Sequence, residues 1–538
     1  MTPHLACKDV SVRFFDSRFF TLKDVTLSIE KGEKVLFLGP SGCGKSTLLA
    51  ALAGLIPGSI EAEITGEIVR PDRIGIMFQD PDAQFCMLTV GDEIAFSLEN
   101  RCVPRNQMDS LIEKAMAQAG LSLPKDTPIA TLSGGMKQRL ALACLLALDA
   151  DTLFFDEPTA QLDPQGRQEI FELLRSFSDS DVTMVFVEHV LDELIDWMDR
   201  VVLFDAGGRL IGEGTPEDVL SLYGKEMEEA GIWKPRLFPH TMEEVCADPS
   251  HPLQTEWSSQ LQRSKAKHTT SSLRTNEPVY TVHDLSISYG KKQVLTSINF
   301  SLHAGEWVAI VGKNGAGKST LLKVLVGLEK WKQGDILFAG RSLKKWPTKA
   351  LFEQVGFVFQ NPELQFVTDR VYDEVAFGGK VRGWNETALH EKTIRLLQEF
   401  ALEPFSEKHP FTLSQGQKRR LSVATMLLFD QKVLLLDEPT FGQDAGTCAQ
   451  LLSRLQQRKE QGTSIIMVTH DMDLVDQYAD RVLLLDNGTI QFDGTPYELF
   501  SSQLPLPGLI RPLPYEWERR IKDDARFGLV SYARESIR

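Results

Sequence analysis

The stretch Gly39-Pro-Ser-Gly-Cys-Gly-Lys45-Ser46 decides how the chain is read, because it returns as Gly312-Lys-Asn-Gly-Ala-Gly-Lys318-Ser319. Working outward, Leu132-Ser-Gly-Gly-Met136 returns as Leu413-Ser-Gln-Gly-Gln417. Phe154-Phe-Asp156-Glu157 returns as Leu435-Leu-Asp437-Glu438, and His189 as His470. From Gln79, matched by Gln360, the offset is a constant 281 positions. A unit of that length is too long for a solenoid repeat and about right for a domain.

Each glycine stretch follows a short apolar run, Val35–Leu38 or Val308–Val311, and precedes a helical pattern. Further apolar runs at Leu153–Phe155, Met184–Val187, Val433–Leu436 and Ile465–Val468 predict strands buried on both faces, hence parallel sheet and an α/β class. Each half opens on an alternating stretch, Val10-Ser-Val-Arg-Phe14 or Leu285-Ser-Ile-Ser-Tyr289. The second half carries eight more residues than the first between its glycine stretch and its glutamine. We expect units at 1–235 and 279–500, a polar linker at 236–278 and a tail at 501–538. The polar stretch from Thr255 to Pro278 reads as flexible and without helical periodicity.

With 42% hydrophobic and 25% charged residues, the 538-residue chain has ordinary globular composition. Its net charge of −16 argues against a general grip on nucleic acid. Seven scattered cysteines without a Cys-x-x-Cys fit a reducing compartment and supply no metal framework. The N-terminus lacks a signal-peptide pattern, and no apolar run approaches the roughly 20 residues of a spanning helix. The expected location is the cytoplasm, with any membrane role exercised through a partner.

A Gly-x-x-x-x-Gly-Lys-Ser loop between strand and helix frees backbone N–H groups to surround a polyphosphate. Its lysine reaches the β and γ phosphates, and its serine ligates Mg²⁺. This assigns Gly39, Ser41, Gly42, Gly44, Lys45, Ser46 and Thr47 to one nucleotide, and Gly312, Asn314, Gly315, Gly317, Lys318, Ser319 and Thr320 to another. Paired carboxylates ending a buried strand need compensation. A cation held by Asp156 or Asp437 would supply it, leaving Glu157 or Glu438 to orient or deprotonate a water. Helix capping before Pro158 and Pro439 would be the alternative for an isolated pair.

Leu-Ser-Gly-Gly followed by basic residues (Lys137-Gln-Arg139, Lys418-Arg-Arg420), then Asp-Glu and a histidine, resembles the ABC-type ATPases. The resemblance implies two tandem P-loop domains. Each would have a RecA-like parallel-sheet core, an antiparallel β subdomain and a helical signature subdomain. It also implies an intramolecular pseudo-dimer in which each signature completes the other half's site. Lys45, Gln79, Asp156, Glu157 and His189 would work with Ser414 and Gly416. Lys318, Gln360, Asp437, Glu438 and His470 would work with Ser133 and Gly135. Glu157, His189, Glu438 and His470 are the expected catalytic residues. Ser46, Gln79, Asp156, Ser319, Gln360 and Asp437 are the expected Mg²⁺ ligands beside ATP. Phe14 and Tyr289 fall where the family stacks an aromatic on adenine, although an exposed strand-end aromatic is as good a reading of Phe14. Met136 and Gln415 depart from the usual signature without removing its serine or second glycine, so two hydrolytic sites are expected.

Phe78-Gln-Asp-Pro-Asp-Ala-Gln-Phe85 and Phe359-Gln-Asn-Pro-Glu-Leu-Gln-Phe366, each followed by a short acidic helix start, resemble the segments of energy-coupling-factor importers that meet a membrane coupling protein. The resemblance implies an integral membrane coupling partner, a membrane substrate-binding component and a place on the cytoplasmic face of a prokaryotic membrane. The cargo would be a vitamin, a vitamin precursor or a metal ion. Fused pairs are similar to subunits for thiamine or its hydroxymethylpyrimidine precursor. Asp92, Glu93, Asp373 and Glu374 are expected to complement basic residues of the partner. A fused sugar-importer ATPase is the nearer rival. A twin-ATPase translation factor would need a long basic helical connector, and DNA-repair relatives need large insertions.

Overall fold

The computed structural model describes residues 4–15, 19–160, 162–177, 181–270 and 278–523. It divides into two compact units, Met1–Pro239 together with Gly442–Gly446, and His240–Phe441 with Thr447–Arg538.

Among the described residues, the first unit holds nine strands. They are β1 (Leu5–Phe14), β2 (Leu22–Ile29), β3 (Lys34–Leu38), β4 (Ala62–Val69), β5 (Ile74–Met77), β6 (Thr152–Asp156), β7 (Thr183–Val187), β8 (Arg200–Phe204) and β9 (Leu210–Gly214). Strands β2-β1-β4 form a small antiparallel sheet. The core sheet runs β5-β6-β7-β3-β8-β9, parallel except for the last pair. Val35, Leu36 and Phe37 on β3 and Val185, Phe186 and Val187 on β7 are fully buried, as a sheet covered on both faces requires.

The second unit repeats the plan with β10 (Pro278–Tyr289), β11 (Lys292–His303), β12 (Trp307–Val311), β13 (Gln333–Phe338), β14 (Arg341–Ser342), β15 (Val355–Val358), β16 (Val433–Asp437), β17 (Ser464–Val468), β18 (Arg481–Asp486) and β19 (Thr489–Gly494). Its core order is β15-β16-β17-β12-β18-β19, beside an antiparallel β11-β10-β13-β14 sheet. The extra residues of this half therefore lie in and after β13 and β14, away from the strand ends that carry the glycine loop. In both cores the glycine-loop strand sits one strand away from the Asp-Glu strand. The carboxyl ends of three neighbouring strands thus converge, which is where ligands bind in open α/β sheets.

The expected flexible linker is corrected. Helices Met242–Ala247 and Pro252–Thr270 occupy most of it, and both group with the second unit. The helical periodicity is weak in sequence because a few anchors do the work. Trp257 is buried against Trp517 of the tail, with ring centroids 6.0 Å apart. The Ser264 hydroxyl lies 2.7 Å from both Asp476 Oδ1 and the Tyr515 hydroxyl. Lys267 donates to the backbone carbonyls of Gln477 (2.8 Å) and Ala479 (3.0 Å), capping the helix Met472–Tyr478 with a cation at its negative end. The tail is likewise docked, with residues 513–523 helical. Residues 271–277 of the expected linker and 524–538 of the expected tail lie outside the described residues.

Removing a buried indole from such a cluster costs about 3–5 kcal/mol. Trp257→Ala is therefore expected to lower stability by about that amount in urea unfolding, whereas a loosely tethered linker would give no change.

Candidate functional site

In each half the glycine loop folds over its own lysine. The Lys45 ammonium donates to the carbonyls of Gly39 (2.7 Å) and Pro40 (3.0 Å), and Lys318 to those of Gly312 (2.6 Å) and Lys313 (3.0 Å). Gly312 has φ +145°, and a side chain there would drive its Cβ to 2.0 Å from the Leu485 carbonyl oxygen. Gly42 and Gly315 have φ near +80° with open space where a Cβ would stand, so the loop leaves a cradle. Ser41, Gly44 and Asn314, Gly317 belong to the same loops. Thr47 and Thr320 follow on the helices Lys45–Leu52 and Lys318–Leu325.

Ser46 donates to Asp156 Oδ1 at 2.8 Å, and Ser319 hydrogen-bonds Asp437. Burial pushes both aspartates up to about 6, with the neighbouring glutamates also raising them. Among the described residues, Asp437 Oδ1 is buried without a hydrogen-bond partner. A cation between serine and aspartate would relieve both conditions, so this donor set fits Mg²⁺.

Glu157 and Glu438 stand in the left-handed region, φ 47° and 52°, where side-chain-bearing residues are rare. Each is held there by its N–H donating to the last residue of the adjacent strand, Val187 at 2.8 Å or Val468 at 3.0 Å. The twist points the carboxylate at the histidine. His189 Nε2 lies 3.1 Å from Glu157 Oε1, and Gln79 Nε2 donates to Glu157 Oε2 at 2.5 Å. His470 Nε2 lies 3.3 Å from Glu438 Oε1 and 3.3 Å from Lys318 Nζ. Burial pushes both glutamates up, but the histidine, the lysine and hydrogen bonding outweigh it and hold them below their ordinary value. A carboxylate kept ionised beside a histidine can orient and accept a proton from water.

Six expected residues of the first half thus converge: Lys45, Ser46, Gln79, Asp156, Glu157 and His189. Lys318, Ser319, Asp437, Glu438 and His470 converge in the second. Ser133, Gly135, Ser414 and Gly416 lie elsewhere, at the starts of the helices Gly134–Leu148 and Gln415–Leu427. Ser414 and Gln417 form a reciprocal capping box, with bonds of 3.0 and 3.3 Å. Met136 in place of that glutamine leaves the first helix only the Ser133 bond at 3.4 Å. Tyr289 is half exposed and hydrogen-bonds Thr320 beside the second loop. Phe14 instead packs against the core.

The reading of Glu93 and Glu374 as partner-facing acids is corrected. Both are buried. Glu93 accepts from the N–H groups of Cys86 (2.9 Å) and Met87 (2.7 Å), and Glu374 from those of Val367 (3.0 Å) and Thr368 (2.9 Å). They fold the segment after each glutamine back onto its helix. A strut not expected from the motifs also crosses each half, Lys137 to Asp82 at 2.6 Å and Lys418 to Glu363 at 2.6 Å. Its signal was present as an acid three residues after each glutamine and a lysine four after each signature serine.

A sequence model of the family described as "ABC transporter" matches residues 22–160 and 295–441. A Bacillus subtilis (strain 168) protein named for HMP/thiamine import, the ATP-binding protein YkoD, is 40% identical over 97% of this chain and 98% of its own length. An ABC transporter ATP-binding protein of Clostridium perfringens (strain 13 / Type A), CPE1583, is 35% identical over 92% of this chain and 91% of its own. Among solved structures, cbiO1 from Clostridium perfringens, part of the ABC transporter complex cbiONQ, is 34% identical. It covers 42% of this chain and 92% of its own, with a TM-score of 0.38.

If the two lysine cradles are nucleotide sites, Lys45→Ala and Lys318→Ala should each remove one of two bound nucleotides. Equilibrium titration with a fluorescent ATP analogue would read this directly. Retention of both in either variant would remove that lysine from the site.

Proposed function

The chain belongs to the ABC transporter family and is an ATP hydrolase, and from that premise we propose that it is the ATP-binding and hydrolysing subunit of an energy-coupling-factor importer. The observation that carries this reading is the matched fold of the two segments after Gln79 and Gln360. Each begins with a short 3₁₀ turn capped by Asp80 or Asn361, and each is folded back by a buried glutamate. This leaves apolar side chains in solvent, with Leu88 84%, Leu364 68% and Val367 64% exposed. Apolar residues held out by a rigid, internally bonded loop suit insertion into a partner, with Asp92 exposed beside them and Asp373 partly exposed and paired to Lys380 at 2.6 Å. No described helix is long and apolar enough to cross a membrane. In this reading an integral coupling protein and a membrane substrate-binding component supply the path, at the cytoplasmic face. The relative named for HMP/thiamine import supports a vitamin or vitamin precursor as cargo.

Bound Mg²⁺, held by Ser46, Asp156 and Gln79 or by Ser319, Asp437 and Gln360, would neutralise phosphate charge. The chain's own groups do the remainder. Lys45 and Lys318 hold the polyphosphate. Glu157 and Glu438 orient a water and accept its proton, and His189 and His470 fix those carboxylates. The exchange of signatures, Ser133 and Gly135 for one loop and Ser414 and Gly416 for the other, is carried over from the family resemblance. The strut from Lys137 or Lys418 ties the signature helix to the docking segment of its own half, so a movement of either is felt by the other.

Removal of a general base costs about 10²–10⁴ in rate. Glu157→Gln and Glu438→Gln should therefore each depress ATP turnover, and a Glu157→Gln chain with unaltered turnover would contradict two working sites. Leu88→Asp with Val367→Asp should abolish co-purification with an integral membrane protein while leaving turnover of the free chain in place. Recovery of the unaltered chain with ribosomes and no membrane protein would exclude the importer.

A further inference from the structure

The two halves tie the segment after the glutamine to the signature helix by different means. In the second half, Arg419 donates to the carbonyl of Phe359, the residue before Gln360, at 2.9 Å. Gln365 donates from Nε2 to the Ser422 carbonyl at 2.9 Å and to the Thr425 hydroxyl. Its Oε1 accepts from the Ser422 hydroxyl at 2.8 Å. Arg419, Ser422 and Thr425 are buried on the helix Gln415–Leu427, so these bonds are shielded from competing water.

At the constant offset of 281 positions, the first half has Gln138, Ala141 and Cys144 in their places. Ala141 has no hydroxyl to offer, and Cys144 bonds Ser97 instead. Gln84, the counterpart of Gln365, turns back on its own segment, where its Oε1 accepts from the Phe78 N–H at 3.3 Å. Phe85 keeps an apolar contact with the helix Gly134–Leu148. The ion pair of Lys137 with Asp82 is retained, but both of its members are more exposed than Lys418 and Glu363.

Gln138 is wholly buried, yet among the described residues neither its amide nitrogen nor its amide oxygen has a hydrogen-bond partner. An amide in that condition bears the full cost of its desolvation and calls for an arrangement that satisfies it. The second half shows what lies within reach of this position. Arg419 there holds the carbonyl that precedes the glutamine.

We infer that the segment after Gln79 is a two-position element whose second position is held by Gln138 bonding the Phe78 carbonyl, whereas the segment after Gln360 is already locked to its helix by Arg419 and Gln365. The inference rests on the docking reading proposed above. Of the two docking surfaces, the second moves as one body with its signature helix and the first adapts to its partner. Gln79 is the trigger. It donates to Glu157 at 2.5 Å in this position and is also an expected Mg²⁺ ligand, so on leaving Glu157 it would shift the adjoining Phe78 carbonyl with it. Gln138, Gln365 and Arg419 act here as positioning residues.

The measurement is amide hydrogen exchange of the full-length chain, read in peptides spanning 78–87 and 359–368, with peptides of β6 and β16 reporting the two cores. Without nucleotide, 359–368 should exchange about tenfold more slowly than 78–87, the worth of one or two hydrogen bonds. Q365L with R419Q should erase that difference while β16 stays protected. A141S with C144T, which offers Gln84 the hydroxyls that Gln365 has, should slow 78–87 by about as much. Mg-AMP-PNP should slow 78–87 about tenfold in the native chain. Q138M fills the same space without donor or acceptor, and should lose that slowing while binding the nucleotide with unaltered affinity. Equal exchange of the two segments without nucleotide would overturn the lock, as would failure of A141S with C144T to slow the first. Slowing that persists in Q138M would overturn the two-position element. Loss of nucleotide affinity or of β6 protection in Q138M would make Gln138 a structural residue and overturn it likewise. These readings are made on the free chain, so they stand apart from recovery with a membrane protein, which tests docking itself.

Discussion

Each half of the chain must place two carboxylates at the end of a strand that has apolar neighbours on both faces. Strand β6 runs Thr152–Asp156 and β16 runs Val433–Asp437, with Phe154, Phe155 and Leu435 wholly buried. An aspartate at such a position holds its proton more tightly than usual, and both do, near 6. The surrounding features answer that constraint. A serine from the glycine loop reaches each aspartate, a lysine folds over the same loop, and the glutamate turns into a left-handed conformation that carries its charge to a histidine. The site is a set of compensations for buried negative charge, left incomplete in a way that a bound cation would complete.

The compensations need not be identical in the two halves, and they are not. In the first, Gln79 and His189 share Glu157. In the second, His470 bridges Glu438 and Lys318, with Arg419 behind. A duplicated chain can let its copies drift in this way because each copy has its own core. Among the described residues, twenty-eight fully or nearly buried ones of the second half form one continuous apolar cluster.

The accessory segments show the same economy. Helix Pro252–Thr270 and the helical residues 513–523 are attached to the second unit through one indole pair, one buried hydroxyl–carboxylate cluster and one lysine on a helix end. Between Trp257 and Ser264 the one buried residue is Leu261, and the composition of the remainder is that of a linker. The buried stripe of Trp257, Leu261 and Ser264 has helical spacing, but it is one residue wide and only two of its members are apolar, so it leaves little amphipathic pattern to detect. That is why the polar stretch read as flexible.

The α/β class, the duplication, the two lysine cradles and the Asp-Glu-His constellation were legible in the sequence. Each rests on local chemistry: glycines where a backbone must come close, apolar runs where a strand is covered twice, carboxylates where an apolar run ends. What only the tertiary structure decided are matters of direction. Glu93 and Glu374 look like surface acids at a helix start, and the fold turns both inward onto backbone N–H groups. Gln138 and Arg419 look like members of a basic stretch, and the fold buries them in positions where one carries a charge toward Glu438 and the other cannot. Sequence gives the type of a charged group, but its effect depends on the solvent and partners around it. Those are set by packing between elements far apart in the chain.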